Sequence, residues 1–492
     1  MRPTRFELAS LLIAAVVVTY QAFVPPAIGL ADSGDFSRIL AYRGLAHVSD
    51  NYDDNYFSYF NSKYRLIPKF GGPEWYKTST SLVIIPARWL SIRLGHRFFD
   101  TRMLAAFYAA LFLLGLWMIL VATRSLGFAS RLILAGLLIL VFGDPGYVAY
   151  FNSFYSEGTA VVFLGLGMGS ALFLITGRSR GTLPLVGYFL ASALFITSKP
   201  SYIPLALPLA VFGIYLTSRV ELGRSKYLLA GVLGFALWGL AFWYNQQVPE
   251  ISKIHGTYVG ICMDLLPKSA TPREDLVAIG LNPDYEEFSG TTPFQPDSPL
   301  NDHAVESDFA SVTHSYGLPL FYLSRPSRLY DLSARCVKHA FSTRVRRLGY
   351  YEASTGKPPR SQPPGVWSSI RENLFPKSIS FIVAFFATGI GAIFLIIKST
   401  FEPAKPIYAL YLLFLTIAII EFFVAVLLGG GEPDVEKHLF MFNLAFDVCI
   451  VLLSLGAFAC FESYGRARRS ETRQASGGGA NREVQLSTGS ST

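Results

Sequence analysis

Apolar runs of about 17 to 23 residues recur along this chain with polar stretches between them, a pattern that a soluble core cannot absorb. A helix rises about 1.5 Å per residue, so about 20 residues cross a hydrocarbon core of roughly 30 Å. The runs lie near Leu8 to Leu30, Thr101 to Thr123, Leu132 to Phe142, Thr159 to Thr176, Leu183 to Ser198, Tyr202 to Ser218, Tyr227 to Trp243, Ile379 to Ile397, Ile407 to Leu428 and Leu439 to Phe461. Charged residues make up only 15% of the 492, against about 25% in soluble domains. The expected fold class is therefore an all-α polytopic membrane protein of about ten transmembrane helices. Leu132 to Phe142 is short for a span: either its helix starts earlier, with Arg131 reaching for the interface, or it runs on past Asp144 into a protein-lined cavity.

The net charge of +8 is read loop by loop; nucleic acid is not an expected partner. Alternate loops carry Arg2 and Arg5, Arg124 and Arg131, Arg178 and Arg180, Arg219, Arg224 and Lys226, Lys398 and Lys405, and Arg466, Arg468 and Arg469. The positive-inside tendency assigns these loops and both termini to the cytoplasm. The chain then divides into an N-terminal membrane module (1–243) with a long first outer loop (31–100), an outer cap of mixed structure (244–378), C-terminal spans (379–461) and a disordered Gly/Ser-rich cytoplasmic tail (462–492). In the first outer loop, Phe36, Ile39 and Leu40, and again Ser79 to Leu94, have the make-up of helices lying on the membrane surface. Cys262 and Cys336 both fall in the cap, in a compartment that permits a disulfide. No CxxC, HExxH or phosphate-cradling GxxxxGK[ST] motif occurs, which disfavours an ATP-driven pump.

Ionisable residues gather at the outer ends of the spans. Asp32-Ser33-Gly34-Asp35 with Arg38 reads either as a helix cap or as a carboxylate base beside a cation. Tyr155 and Glu157 stand at the mouth of the Thr159 run, and Lys199 is the lone basic residue of a tight turn. Asp434, Glu436 and His438 lead into the last span. Carboxylates beside Lys, Arg and His form the inventory for activating a hydroxyl while neutralising a departing phosphate.

Three stretches carry a resemblance: SGDFSRI at 33–39, YFNSFYSE at 150–157 and DVEKHLFMFN at 434–443. With the long first outer loop and late cap, the chain resembles the membrane-embedded glycosyltransferases of the GT-C superfamily, and in these wordings the bacterial hexose transferases of surface-glycan assembly. The resemblance implies an inner-membrane enzyme whose site faces the periplasm or exterior. It implies inverting transfer of a hexose from a polyprenyl-phosphate donor, bound through the membrane lipid, to a glycan or glycolipid acceptor. Asp35 matches the family's catalytic carboxylate, with Asp32 the competitor, because the Asp-Ser-Gly-Asp order here replaces the adjacent Asp-Glu of many relatives. Arg38, Lys199 and His438 are then assigned to the lipid phosphate, Tyr155 and Glu157 to sugar hydroxyls, and Asp434 and Glu436 to the acceptor or an ion. Some relatives require a divalent cation and others do not, so a metal is left open. The alternatives are a polymerase or ligase using a diphosphate-linked lipid, and a transporter or flippase, which would carry ionisable residues at mid-membrane.

Overall fold

The computed structural model describes residues 3–67, 77–398, 405–432 and 435–462. Among them, seven helices are long and apolar enough to cross a membrane, or nine spans if two bent pairs count as one each. The seven are Arg5–Phe23, Thr101–Ala122, Ser156–Ile175, Pro200–Thr217, Ser225–Gln246, Tyr408–Leu428 and Phe440–Glu462. The bent pairs are Phe128–Phe142 with Pro145–Asn152, at 55°, and Val366–Leu374 with Ile379–Phe394, at 112°. The ten expected spans thus become at most nine: Thr182–Ile196, at 15 residues, is a shorter apolar helix, rising only about 22 Å.

The weak third run follows the first of its two readings, an earlier helix start, and past Asp144 the chain enters a buried turn. Its helix begins early, at Phe128, with Arg131 drawn to Glu7 of the first span at 3.1 Å. It then breaks, because Asp144 accepts the Gly146 amide at 2.9 Å and Pro145 opens a new buried turn. Close packing holds the centre of the bundle. A Cβ on Gly115 would come within 3.3 Å of the Gly165 backbone, so Thr101–Ala122 and Ser156–Ile175 touch through small residues, as helices in lipid commonly do.

A three-stranded antiparallel sheet stands in the 31–100 region, in the order β1 (Leu45–His47), β2 (Lys63–Leu66), β3 (Phe98–Asp100). Segment 244–378 is built from helices and loops, with no sheet strand; the strands of this mixed fold therefore lie before the bundle's core and not in the cap. Ser37–Leu40 is one turn only. Ser81–Arg93 is a 13-residue helix that keeps Leu82, Ile85, Trp89 and Ile92 exposed along one face, the stripe a helix at the lipid interface presents. Cys262 and Cys336 are free and buried, so no disulfide joins them. Asp434 and the tail from residue 463 lie outside the described residues.

Candidate functional site

The site begins as an extended strap. Gly29 and Ala31 donate to the Tyr350 and Gly349 carbonyls at 3.1 and 2.9 Å, and Gly349 donates to Phe57 at 2.8 Å. The chain then turns sharply at Asp32. One carboxylate oxygen of Asp32 accepts the amides of Gly34 (2.7 Å) and Phe36 (3.0 Å), a side-chain turn typical of aspartate. The turn places Gly34 at φ +98°, where a side chain would be strained. Phe36 is buried against the rings of Phe154 and Tyr155, with centroids 5.3 and 4.7 Å away. The Tyr155 hydroxyl accepts the Ser33 amide at 2.9 Å and lies 3.0 Å from both the Ala31 carbonyl and the Ser33 hydroxyl.

This turn gives the two aspartates different surroundings. Asp32 is buried, with its second oxygen 3.2 Å from His47 Nε2 on β1. Burial raises its pKa, a rise only partly offset by His47 and the Phe36 amide. Asp35 points outward from the turn with its side chain 21% exposed. It pairs with Lys437, lies 3.1 Å from Arg38, and accepts the Ser33 hydroxyl at 3.0 Å. Burial works to raise its pKa, but Lys437 and then Arg38 hold it well below the usual carboxylate range. Lys437 Nζ also reaches Ser33 Oγ at 3.2 Å and sits 5.7 Å from the Tyr155 ring centre. Lys437 was not singled out by sequence reasoning, although it stands between Glu436 and His438 in the DVEKHLFMFN stretch.

Glu157 and Lys199 form a second pair at 2.7 Å. Below them Thr80, Ser156, Thr159 and Tyr108 share a chain of hydroxyl contacts, at 3.3 Å for Thr80–Ser156, 3.0 Å for Thr159–Thr80 and 2.7 Å for Tyr108–Thr159. His438 feels both groups: burial, then the charges of Lys199 and Lys437, push its pKa well below the ordinary imidazole value. That favours the neutral ring at neutral pH, and Lys437 is the cation beside Asp35.

Glu436 turns elsewhere. It accepts the Arg346 amide at 3.0 Å and lies 3.6 Å from His339 Nδ1, while Glu432 lies 3.1 Å from His339 Nε2. Glu432 also meets Lys268 at 2.6 Å, and Asp264 meets Arg335 at 3.2 Å. This cluster ties segment 244–378 to the approach of the last span. Glu436, then Glu432, raises the His339 pKa, while Lys268 and His339 hold Glu432 at about 2 despite burial. The carboxylates thus stay charged across neutral pH. The stabilisation from His339 is complete below its unfolded value of about 6.5 and is lost as pH rises through the raised folded value. Thermal unfolding should accordingly move to lower temperature as pH rises above about 6.5, and His339→Gln should flatten that dependence; an unchanged slope would remove His339 as its source.

Away from their ends, the spans carry Glu421 and Asp447, both buried. Their signal in the sequence is simple: each is a lone acid inside an apolar run. Among the described residues, no group of three or more His, Cys, Asp or Glu could hold a metal ion. The donors facing Asp35 are two cations and a hydroxyl, which suits an anion better than a metal.

A bundle of seven to nine candidate spans, with a polar, ion-paired turn closed over one end, defines a multi-pass membrane protein. The chain belongs to the YfdI N-terminal transmembrane domain family, whose model matches residues 3–476. No curated protein matches it.

Proposed function

We propose that the protein is an inverting membrane glycosyltransferase of the GT-C type that moves a hexose from a polyprenyl-phosphate donor to an acceptor hydroxyl in cell-surface glycan assembly. The observation that carries this reading is the meeting of Asp35 with Lys437, 402 positions away, and with Arg38 on the other side. A carboxylate and two cations in one partly open turn match a reaction that deprotonates a hydroxyl and expels a phosphate. The acceptor hydroxyl loses its proton to Asp35 as its oxygen attacks the anomeric carbon. The bond from that carbon to the phosphate oxygen breaks, and the electron pair stays on the lipid phosphate. Lys437 and Arg38 face that oxygen. Donor binding draws these cations from Asp35 toward the phosphate, which raises the basicity of Asp35 at the moment it is needed.

The basic short loops with Arg124, Arg131, Arg178, Arg180, Arg219, Arg224 and Lys226 lie at span ends opposite Glu157 and Lys199. This supports an outward-facing Asp35 in a bacterial inner membrane. The test is incubation of purified protein with labelled polyprenyl-phosphate hexoses and a panel of glycan and glycolipid acceptors; no transfer with any pair would discard the reading. Lys437→Gln should lower kcat about 10²-fold. It should also move the acid limb of the pH profile upward, because the charge that depresses the Asp35 pKa is gone. Lys437→Arg should restore the limb. Glu421, buried in the Tyr408–Leu428 span with Oε1 lacking a hydrogen-bond partner among the described residues, favours the alternative of transport. Full hexosyl transfer by Glu421→Gln would count against a transport role for that acid.

A further inference from the structure

At the end of the bundle remote from Asp35, three span ends leave a recess of about 610 Å³. Its walls come from the end of Ser156–Ile175, the end of Ala206–Thr217 and the start of Ser225–Gln246. The direction follows from the chain: Ser156–Ile175 begins at Glu157, beside Lys199, and finishes at the recess. Leu174, Ile175 and Val220 are buried beneath it, so the surface it exposes is mostly polar. Arg180, Arg219 and Lys226 line the recess with a single acid, Glu221. The lining thus holds three cations and one anion, a net charge of +2.

The loops that make the recess are built rather than loose. The Glu221 amide donates to the Arg180 carbonyl at 2.9 Å, and the two side chains pair at 2.5 Å. Arg219 donates to the Tyr215 hydroxyl at 3.1 Å. Gly177 and Gly223 turn at φ +68° and +54°, which brings both loops to the same edge. Beside the recess, Leu183, Tyr227 and Leu228 are exposed on the outside of the bundle, where lipid chains lie against apolar spans.

We propose that this recess binds the headgroup of an anionic phospholipid. The phosphate sits among Arg180, Arg219 and Lys226, and the acyl chains follow the apolar surface at Leu183 and Leu228. Two chemistries meet at one place here: a cationic pocket reads phosphate, and the exposed apolar surface of Leu183, Tyr227 and Leu228 beside it suits the acyl chains of a lipid. Basic pockets between spans are a general way of holding such headgroups. This inference does not depend on the chemistry assigned to Asp35.

The test is native mass spectrometry of the full chain in detergent, titrated with phosphatidylglycerol and, separately, with phosphatidylcholine of the same acyl chains. Wild type should retain phosphatidylglycerol preferentially, and added salt should weaken retention. The triple change Arg180→Gln, Arg219→Gln and Lys226→Gln should lower that affinity by about fivefold per charge removed. Glu221→Gln should raise it, a gain that a misfolded variant cannot produce. Soluble glycerol phosphate at the same concentration should leave the lipid in place. Equal retention of both lipids, no loss in the triple variant, or displacement by glycerol phosphate would each overturn the proposal.

Discussion

Asp35→Asn should lower hexosyl transfer by about 10²- to 10⁴-fold, the range for loss of a positioned general base, while Asp32→Asn should stay within about tenfold of wild type. The geometry separates two residues that the spelling Asp-Ser-Gly-Asp leaves equal. Asp32 spends one oxygen on the Gly34 and Phe36 amides, and an asparagine carbonyl oxygen at that position still accepts both, as in an ordinary cap. Among the described residues Asp35 accepts no backbone amide; its partners there are Lys437, Arg38 and the Ser33 hydroxyl, all of them side chains that can turn to a ligand. The pair of variants is read by transfer of labelled hexose at saturating donor, with detergent size-exclusion profiles to show that each folds. Loss in Asp32→Asn alone moves the base to Asp32, where His47 would serve as its partner. Full activity in both discards a carboxylate base in this turn.

The helices were legible because hydrocarbon sets their length: each of the ten apolar runs holds a helix, and seven of these helices are long enough to span by themselves. The bends were less legible, since they depend on contacts. Asp144 breaks the third run by capping Pro145–Val148 and by taking the Ser368 amide at 3.1 Å from 224 positions away, a partner that no local pattern announces. The same holds for the site. Asp35 and Arg38 stand one turn apart and suggest themselves, and Glu157 with Lys199 followed from charge at span ends. Lys437 was hidden because nothing in its neighbourhood says that it, rather than Glu436 or His438, faces Asp35. A one-turn helix, Val435–His438, points successive residues in different directions, so Glu436 goes to His339 and Lys437 to Asp35. Which neighbour reaches the site is a matter of helix phase, which the residue types alone do not announce.

Arg371→Ala should destabilise the protein by about 3 to 5 kcal/mol, the cost of breaking a buried ion pair from one side. Arg371 and Asp447 are both fully buried and paired. The guanidinium also donates to the Asn443 side chain at 2.7 Å and its carbonyl at 3.1 Å. Asp447 accepts the Tyr147 hydroxyl at 2.6 Å and the Trp367 indole N–H at 2.9 Å. Three separate parts of the chain therefore close on one carboxylate: the turn after Phe128–Phe142, the Val366–Leu374 helix and the last span. Removing the guanidinium leaves Asp447 with two neutral donors in a place water does not reach, and that deficit makes the loss large. Asp447→Asn should cost less, since the amide oxygen still accepts from Tyr147 and Trp367. The double change Arg371→Leu with Asp447→Leu should recover part of the loss, because a matched apolar pair carries no stranded charge. Unfolding in detergent, followed by tryptophan fluorescence, distinguishes these cases. If the single Arg371→Ala variant unfolds within about 0.5 kcal/mol of wild type, in the range of ordinary surface substitutions, the clamp does not fasten the 341–374 segment to the last span.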